Sequence, residues 1–328
     1  MEKWTVISSI AVVFLSAWLG WMNYPPPPIS PIVYQWKSWG NYHRFDKFNV
    51  FYMNKIINEP VSNTLLCLHG FPTSSFDYFK LLPHFRKIFD RVLFIDFLGM
   101  GFSDKPADHR YSIFEQSDIV EEIIKHLGIT QLHILAHDYG DTVTQEILAR
   151  FKEGKIPFQI KTVTLMNGGI IPGAYSPLIV QRALRWPIIS SFLNKIVNRH
   201  FFGSVLNRVF GDSSLTHTEI SDFWHIVREK NGYKIFGDLL AYMEERHDYE
   251  ERWVTALKST KIPIQLIYGP ADPVNPPPFD TMYQSLIPNP YLDRLSDSIG
   301  HYPHYEAPEE VFRRLDQFLQ KMNTTGRL

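Results

Sequence analysis

Residues 131–142 read QLHILAHDYGDT, an apolar run that ends in the turn residues HDYG. Ala136 and Gly140 lie two residues on either side of Asp138, which leaves room for a sharp turn from a strand into a helix. The apex of such a turn needs a positive φ, which aspartate tolerates better than most residues. The stretch therefore predicts Asp138 as a nucleophile. An ordinary turn or helix N-cap at Asp138 is the alternative.

The composition is that of a globular protein without a nucleic-acid partner. The chain has 328 residues, 45% of them hydrophobic and 15% aromatic, which is enough for a large core. Its 33 Lys and Arg against 34 Asp and Glu leave a formal charge of -1. No basic run is present that would bind nucleic acid. Cys67 is the only cysteine, so we predict a buried thiol and no intramolecular disulfide.

Residues 4–22 contain no charged side chain and have tryptophans near both ends. At about 1.5 Å rise per residue, a helix of this length approaches the roughly 30 Å apolar thickness of a bilayer. We predict a single-pass anchor over residues 1–24, whose orientation the flanking charges do not set. A cleaved signal peptide is the alternative, but the bulky residues near its end leave no small-residue cleavage site. A linker is predicted over residues 25–44, where four prolines favour a stiff polyproline II spacer.

From about residue 45, short apolar strands alternate with helices. Helices are predicted over residues 112–127, 142–151 and 306–321, the first with a capping box formed by Ser112 and Glu115. This rhythm implies a mostly parallel sheet covered on both faces. Residues 168–252 instead show helical spacing without a convincing strand, which indicates a helical insertion. Strands are predicted over residues 48–53, 64–68, 91–95, 132–135, 161–166, 262–268 and 291–295.

Polar residues follow four of these predicted strands. They are the HGFP run at residues 69–72, Asp138, Asp272 after GPA, and His301 after Gly300. Open parallel sheets gather functional residues at the carboxyl ends of their strands. The chain order nucleophile, acid, histidine is that of an α/β-hydrolase triad. Asp138, Asp272 and His301 are therefore the predicted catalytic residues, although Asp272 in its proline-rich loop is also suited to cap a turn.

The chain resembles α/β-hydrolases of the epoxide-hydrolase and haloalkane-dehalogenase branch. The resemblance runs from about residue 30 to the end and implies an α/β-hydrolase core at residues 45–168 and 254–328. It implies a helical cap at residues 169–253 and, with the anchor, a location in the endoplasmic reticulum membrane. The motifs that carry it are LLCLHGFPTSSFDYFK, IDFLGMGFSDKP, YSIFEQSDIVEEIIKHLG, AHDYGD, LIYGPADPVNP and GHYPHYEAPEE.

An aspartate at the apex favours one kind of reaction. Attack of a carboxylate on an ester carbonyl would give an uphill anhydride, whereas attack on an sp3 carbon gives a stable ester. Asp138 is therefore suited to open a C–O or C–halogen bond, after which His301, oriented by Asp272, would activate water to hydrolyse the ester. The backbone N–H groups of Phe71 and Tyr139 are the predicted oxyanion hole.

The resemblance aligns several side chains with the donors that assist the leaving group in related enzymes. These side chains limit which leaving groups are expected. Dehalogenases hold the halide with side-chain N–H groups at the positions of Tyr139 and Phe71, which offer none, so dehalogenation is disfavoured. Epoxide hydrolases protonate the departing oxygen with two cap tyrosines. The resemblance places one of them at Tyr242. Tyr175 and Tyr233 are candidates for the second only because they lie in the cap.

Three further polar residues lie near the predicted triad. His301 is preferred to His304 because it follows Gly300 directly, as in the family motif. A metal pair of these two histidines is disfavoured, since Pro303 separates them and no third ligand matches. His137 is predicted to be a hydrogen-bonded structural residue. Asp141 stands where relatives usually have glycine, a change that would matter little at the rim of a pocket.

The resulting hypothesis is a membrane-anchored hydrolase that opens epoxides, or a related apolar or lipid-like substrate, through a covalent alkyl ester. No cofactor or metal is expected. Two alternatives stay open: an acyl-group hydrolase or transferase, and a hydrolase fold retained only for binding. A glycosylation sequon at residues 323–325 would be modified if the catalytic domain is lumenal.

Overall fold

A computed structural model describes residues 2–22, 28–171 and 173–327. Its strands are β1 (Asn41–Phe45), β2 (Phe48–Ile56), β3 (Thr64–Leu68), β4 (Arg91–Ile95), β5 (Gln131–His137), β6 (Gln159–Met166), β7 (Ile264–Tyr268) and β8 (Tyr291–Arg294). They form one sheet in the order β1-β2-β4-β3-β5-β6-β7-β8. Strand β2 pairs antiparallel with β1 and β4, and the other neighbours are parallel. The predicted mostly parallel sheet is confirmed.

Helices connect the strands and cover the sheet. They are α1 (Glu2–Met22), α2 (Pro31–Trp39), α3 (Leu82–Phe85), α4 (Ile113–His126), α5 (Tyr139–Lys152), α6 (Ile179–Leu184), α7 (Pro187–Ile196), α8 (Arg199–Asn207), α9 (His217–Arg228), α10 (Phe236–Leu239), α11 (Tyr242–Asp248), α12 (Glu250–Ser259), α13 (Phe279–Leu286), α14 (Pro303–Glu306) and α15 (Pro308–Thr324). Two 3₁₀ segments, Ser75–Tyr78 and Glu229–Ile235, complete the set in the described residues.

Strands β3 and β7 are buried along their whole length, as expected of short apolar strands with helices on both faces. Both begin and end within two residues of their predicted bounds. Cys67 in β3 is buried, and burial raises the pKa of its thiol well above the ordinary value. The central strands therefore form the rigid support of the residues that follow them.

The predicted capping box of α4 is wrong in one half. The Ser112 hydroxyl accepts the backbone N–H of Phe114, so it does cap the helix. The Glu115 carboxylate, however, bonds His109 Nε2 at 2.8 Å instead of reaching back to Ser112. His109, in the loop before α4, thus binds the carboxylate that a capping box would direct to the backbone N–H of Ser112.

The connection from β6 to β7 contains helices α6 to α12 and no strand in its described residues. The predicted helical insertion is therefore observed, while the cap boundaries 169–253 stay a prediction. Its last helix, α12, is hydrogen-bonded to the core through one buried carboxylate. Glu146 of α5 accepts hydrogen bonds from Arg150 Nε at 2.8 Å, Arg252 Nε at 2.7 Å and Trp253 Nε1 at 2.9 Å.

Helix α1 is exposed and, over Lys3–Gly20, is long and apolar enough to cross a membrane. Of the predicted proline spacer, residues 25–27 lie outside the described residues. Farther along, the Ser30 N–H donates to Asp222 Oδ1 of α9 at 2.8 Å. Trp36 of α2 is then fully buried, with its ring against Phe94. The segment after α1 is thus fixed to both the insertion and the sheet.

We predict that Glu146→Ala lowers the free energy of unfolding by about 3 to 5 kcal/mol, because it leaves buried donors without their acceptor. Glu153→Ala is the matched control, since Glu153 also pairs with Arg252 but is about one-third exposed. It should cost less than about 1 kcal/mol. Denaturant unfolding of the two variants measures the difference, and equal losses would contradict the role assigned to Glu146.

Candidate active site

The turn between β5 and α5 has the shape that its sequence predicts. Asp138 lies at its apex with φ 48° and ψ -103°. Such a backbone is strained for a residue with a side chain and persists only where its surroundings fix it. Gly140 is part of that fixing, because a Cβ there would lie 2.4 Å from the carbonyl oxygen of Leu68 in β3. Glycine lets α5 start directly against the neighbouring strand.

The Asp138 carboxylate is buried and oriented by the loop after β3. Its Oδ2 accepts the backbone N–H of Phe71 at 3.0 Å. Gly70 permits this approach, since a Cβ there would lie 2.5 Å from His137 Nδ1. Tyr139 is the first residue of α5, where N–H groups have no partner within the helix. The two predicted oxyanion-hole residues thus flank the carboxylate.

His301 and Asp272 form a buried pair, although 29 residues separate them in the chain. His301 Nδ1 lies 2.8 Å from Asp272 Oδ2. The other carboxylate oxygen accepts the N–H of Val274 at 2.7 Å. Asp272 therefore fills both roles that the sequence left open: one oxygen caps the turn and the other orients the histidine.

The electrostatics of this pair favour a charged couple. Burial alone would lower the pKa of His301, but the Asp272 carboxylate raises it above the ordinary value. Burial would raise the pKa of Asp272, yet His301 and amide donors hold it lower than usual. The Asp138 carboxylate also raises the pKa of His301.

Two asparagines that the sequence analysis missed complete the environment of Asp272. Asn167 Nδ2 donates to Asp272 Oδ2 at 3.0 Å and Asn275 Nδ2 donates to the same oxygen at 2.9 Å. Asn167 directly follows β6 and has a positive φ of 47°. The rule that polar residues cluster after parallel strands would have found it, since β6 is the strand next to β5.

His137 donates from Nε2 to the carbonyl oxygen of His301 at 2.7 Å, so it is hydrogen-bonded, as predicted. Its Nδ1 belongs to a buried group with Asp77 and His304, whose candidate ligand atoms lie within 4.8 Å of one another. Burial lowers the pKa of His304 to about 3 and raises that of Asp77 well above its ordinary value. Asp77 Oδ1, His137 Nδ1 and both ring nitrogens of His304 make no hydrogen bond with another described residue.

Asp141 does not face a pocket rim. It is fully buried beneath the turn, and a Cβ on Gly168 would lie 2.2 Å from its Oδ2. Burial and the nearby Asp138 carboxylate raise the pKa of Asp141 well above the ordinary value. Asp138 therefore has a second buried carboxyl group near it, that of Asp141, for which the neutral form is favoured.

Two tyrosines and an arginine from the insertion lie over the apex. Tyr242 is fully buried with its ring centroid 4.9 Å from that of Tyr139. The Arg246 guanidinium carbon is 4.6 Å from the Tyr242 ring centroid and 5.3 Å from that of Tyr175. Arg246 Nη2 lies 3.8 Å from Asp138 Oδ1. Neither tyrosine hydroxyl makes a hydrogen bond of standard geometry with another described residue.

Of the two candidates for a second tyrosine, the structure thus brings Tyr175 to the site. The rings of Tyr175 and Tyr242 both contact the Arg246 guanidinium. Tyr233 packs instead on Trp224, with ring centroids 5.7 Å apart. Arg246 was not predicted, and its position in EERHD beside Tyr242 gives no sign of its inward direction.

An apolar cavity of about 760 Å³, including its open mouth, reaches His301 of the buried pair. The buried residues His301, Tyr302 and Phe71 line it on the core side, and helices α6, α7 and α8 supply half of its lining residues. Such a cavity accommodates a ligand that is mainly hydrocarbon, with His301 as its polar contact.

The comparisons with known proteins agree with this geometry. A profile of the α/β hydrolase fold matches residues 63–308. The chain is 40% identical over 313 residues to the mesoderm-specific transcript protein of Mus musculus, covering 94% of this chain and 92% of that protein. It is 33% identical over 281 residues to putative hydrolase LipZ of Mycobacterium tuberculosis, covering 85% and 95%.

Solved structures share the fold. Haloalkane dehalogenase DbeA of Bradyrhizobium elkani superposes with a TM-score of 0.71 at 19% identity, covering 87% of this chain and 99% of that one. Epoxide hydrolase CorEH gives a TM-score of 0.69 at 16% identity, covering 86% and 99%. The chain belongs to the α/β-hydrolase fold family and resembles, over nearly its full length, the mesoderm-specific transcript proteins.

Proposed function

We propose that this protein is a membrane-anchored hydrolase in which Asp138 opens an epoxide, or a related apolar substrate, through a covalent alkyl ester. One observation carries the proposal. The apex carboxylate of the hydrolase fold accepts the Phe71 N–H at 3.0 Å beside a buried His301–Asp272 pair. A carboxylate in this position attacks saturated carbon without forming an unstable anhydride.

The two oxygens of Asp138 have different roles in the first step. Phe71 holds Oδ2, so Oδ1 is the oxygen left to attack. As Oδ1 bonds to carbon, the C–O bond of the epoxide breaks and Oδ2 becomes the carbonyl oxygen of the new ester. That oxygen already lies in the oxyanion hole for the second step.

In the second step His301 takes a proton from water, and the hydroxide adds to the ester carbonyl carbon of Asp138. Asp272 stabilises the imidazolium that forms. The N–H groups of Phe71 and Tyr139 bind the negative Oδ2 until the alcohol leaves with the proton from His301. One donor of this kind is typically worth about 3 to 4 kcal/mol of barrier.

The departing epoxide oxygen needs a proton, and we assign Tyr242 and Tyr175 to donate it. Burial raises the pKa of both hydroxyls, so both are protonated at neutral pH, while the Arg246 charge acts in the opposite direction and favours loss of the proton. Arg246, stacked on both rings, is positioned to stabilise negative charge on them. This pair of acids supports epoxide opening over dehalogenation, because a halide leaves without a proton.

Helix α1 supports the proposed anchor, and the endoplasmic reticulum is the proposed membrane. Asn323 of the sequon lies exposed in the last turn of α15. Glycosylation at Asn323 in cells would place the catalytic domain in the lumen.

The covalent ester gives the most direct prediction of the reaction. In His301→Gln, epoxides from a panel of apolar substrates should form an adduct on the peptide that contains Asp138, because attack is intact while hydrolysis is not. Mass spectrometry of a single turnover measures it, with Asp138→Asn as the control that should stay unmodified. No adduct with any epoxide, in a His301→Gln protein that is folded, would count against the proposal.

Replacing the tyrosines tests the leaving-group step. Tyr242→Phe and Tyr175→Phe should each lower kcat about 100-fold or more, the usual contribution of a general acid. Tyr233→Phe is the control and should leave kcat unchanged, since that ring packs on Trp224. If either acid variant keeps the wild-type rate of ester formation, that tyrosine does not donate the proton.

The pH dependence of ester hydrolysis follows from the raised pKa of His301. His301 acts as a base only when neutral, so the rate should rise with pH and reach half its maximum above the ordinary value of about 6.5. Asp272→Asn removes the charge that raises this pKa and should move the midpoint to lower pH. Rapid-quench measurement of ester decay across pH, in the wild type and in Asp272→Asn, which both keep His301, measures the shift.

Asp297→Asn is the control for pH, because Asp297 is exposed and does not contact His301. If the pH midpoint of ester hydrolysis is the same in Asp272→Asn as in the wild type, Asp272 does not raise the pKa of His301.

A further inference from the structure

Helices α6, α7 and α8 carry a run of large apolar side chains that point into solvent. Ile179 is 84% exposed and Ile188 is 87% exposed. Single exposed apolar residues are common, but a cluster of them marks an interaction surface. Ile188, Phe192 and Ile196 recur every four residues along one side of α7. The exposed residues, which we call the outer apolar face, are Ile179, Trp186, Ile188, Ile189, Phe192, Ile196 and Phe201.

The same three helices form the wall of the active-site cavity. Leu184 of α6, Leu193 of α7 and Leu206 of α8 line it from within. Phe201 lines the cavity and is also 39% exposed, so the outer apolar face continues into the cavity mouth. An apolar path therefore runs from the protein surface to His301, which lies at its inner end.

The chain after α1 holds the insertion close to that helix. Ser30 is bonded to Asp222 of α9, and eight residue steps separate it from Met22 at the end of α1. Fully extended, eight steps reach at most about 28 Å. If α1 spans a bilayer, Ser30, and with it the part of the insertion around Asp222, therefore lies within about that distance of its end.

Helices α9 and α7 are joined through one short segment. The backbone carbonyl of Lys234, in the Glu229–Ile235 segment that directly follows α9, accepts a hydrogen bond from Asn194 Nδ2 of α7 at 2.6 Å. The element that receives the chain from α1 thus supports the helix that carries most of the outer apolar face.

Charge on this part of the insertion favours a lipid surface. Residues 179–207 contain four basic side chains, Arg182, Arg185, Lys195 and Arg199, and no acidic one. Arg185 pairs with Glu244 of α11. Apolar side chains with basic residues beside them are the composition of helices that lie in the plane of an anionic membrane.

We propose that the outer apolar face rests in the bilayer that holds α1, and that the cavity takes its substrate directly from the membrane. The substrate class is then a membrane-dissolved lipid with a long hydrocarbon portion, not a water-soluble epoxide. This inference rests on the proposed function for the chemistry at the inner end of the cavity. The bilayer contact itself does not depend on that chemistry.

Site-specific labelling of the full chain in vesicles tests the contact. Cys67 is buried, so a thiol-reactive environment-sensitive fluorophore will label Ile188→Cys or Phe192→Cys selectively. Thr130→Cys is the control, since Thr130 is exposed just before β5, at the end of that strand opposite Asp138. In vesicles of zwitterionic and anionic phospholipid, lipids with a nitroxide in the acyl chain should quench the labels at 188 and 192 but not at 130.

The outcomes separate the two claims. Chains that float with the vesicles but carry unquenched labels at 188 and 192 would overturn the bilayer contact and leave the anchor intact. Chains that do not float would overturn both. Concentration-dependent cross-linking between Phe192→Cys chains without quenching would identify the face as a contact between copies and overturn the proposal.

A second variant tests the entry route. Ile188→Asp with Phe192→Asp should raise KM for an epoxide presented in vesicles about tenfold, because it weakens the interfacial contact. It should leave kcat, and adduct formation with a water-soluble epoxide, unchanged. If the double variant has an unchanged KM for the epoxide in vesicles, the entry route is wrong. If the single variant His301→Gln, with Asp138 intact, forms no adduct with any epoxide, the proposed function is wrong.

Discussion

The start of α5 against β3 is the constraint on which the site depends. Asp138 has a positive φ at the turn from β5 into α5, and Gly140 in the first turn of that helix packs directly against the Leu68 carbonyl of β3. This close approach brings the loop after β3 alongside the apex, where Phe71 reaches the carboxylate. A larger residue at Gly140 would move α5 and so separate the Asp138 carboxylate from the Phe71 N–H. Reactivity here is a property of packing as much as of side-chain chemistry.

Much of the core could be predicted because its signals are local. Strand β3 is one apolar run with a polar loop at its end, and the order Asp138, Asp272, His301 is readable in the chain. What escaped prediction depends on direction and distance in space. Arg246 and Tyr175 come from separate parts of the insertion and meet only when it folds over the apex. Helical periodicity gives no information on which polar side chain turns inward.

The inner and outer sides of the insertion have different environments, and the proposed reaction would use both. On its inner side it supplies hydroxyls and one guanidinium close to Asp138, where burial strengthens electrostatic effects. On its outer side it is apolar and basic, with a cavity between the two sides. A substrate that is mostly hydrocarbon with one reactive C–O bond matches this gradient. Acyl chemistry would not need the tyrosines, and a pure binding role would not need the buried His301–Asp272 pair.

The central claim is that the oxygen delivered to the product comes from Asp138 and not directly from water. A single turnover in ¹⁸O-labelled water, with a substrate from the epoxide panel, measures this directly. A covalent ester on Asp138 predicts unlabelled product in the first turnover and ¹⁸O in the peptide that contains Asp138. Label in the first product with none in that peptide would contradict it, because water would then have attacked the substrate without a covalent intermediate.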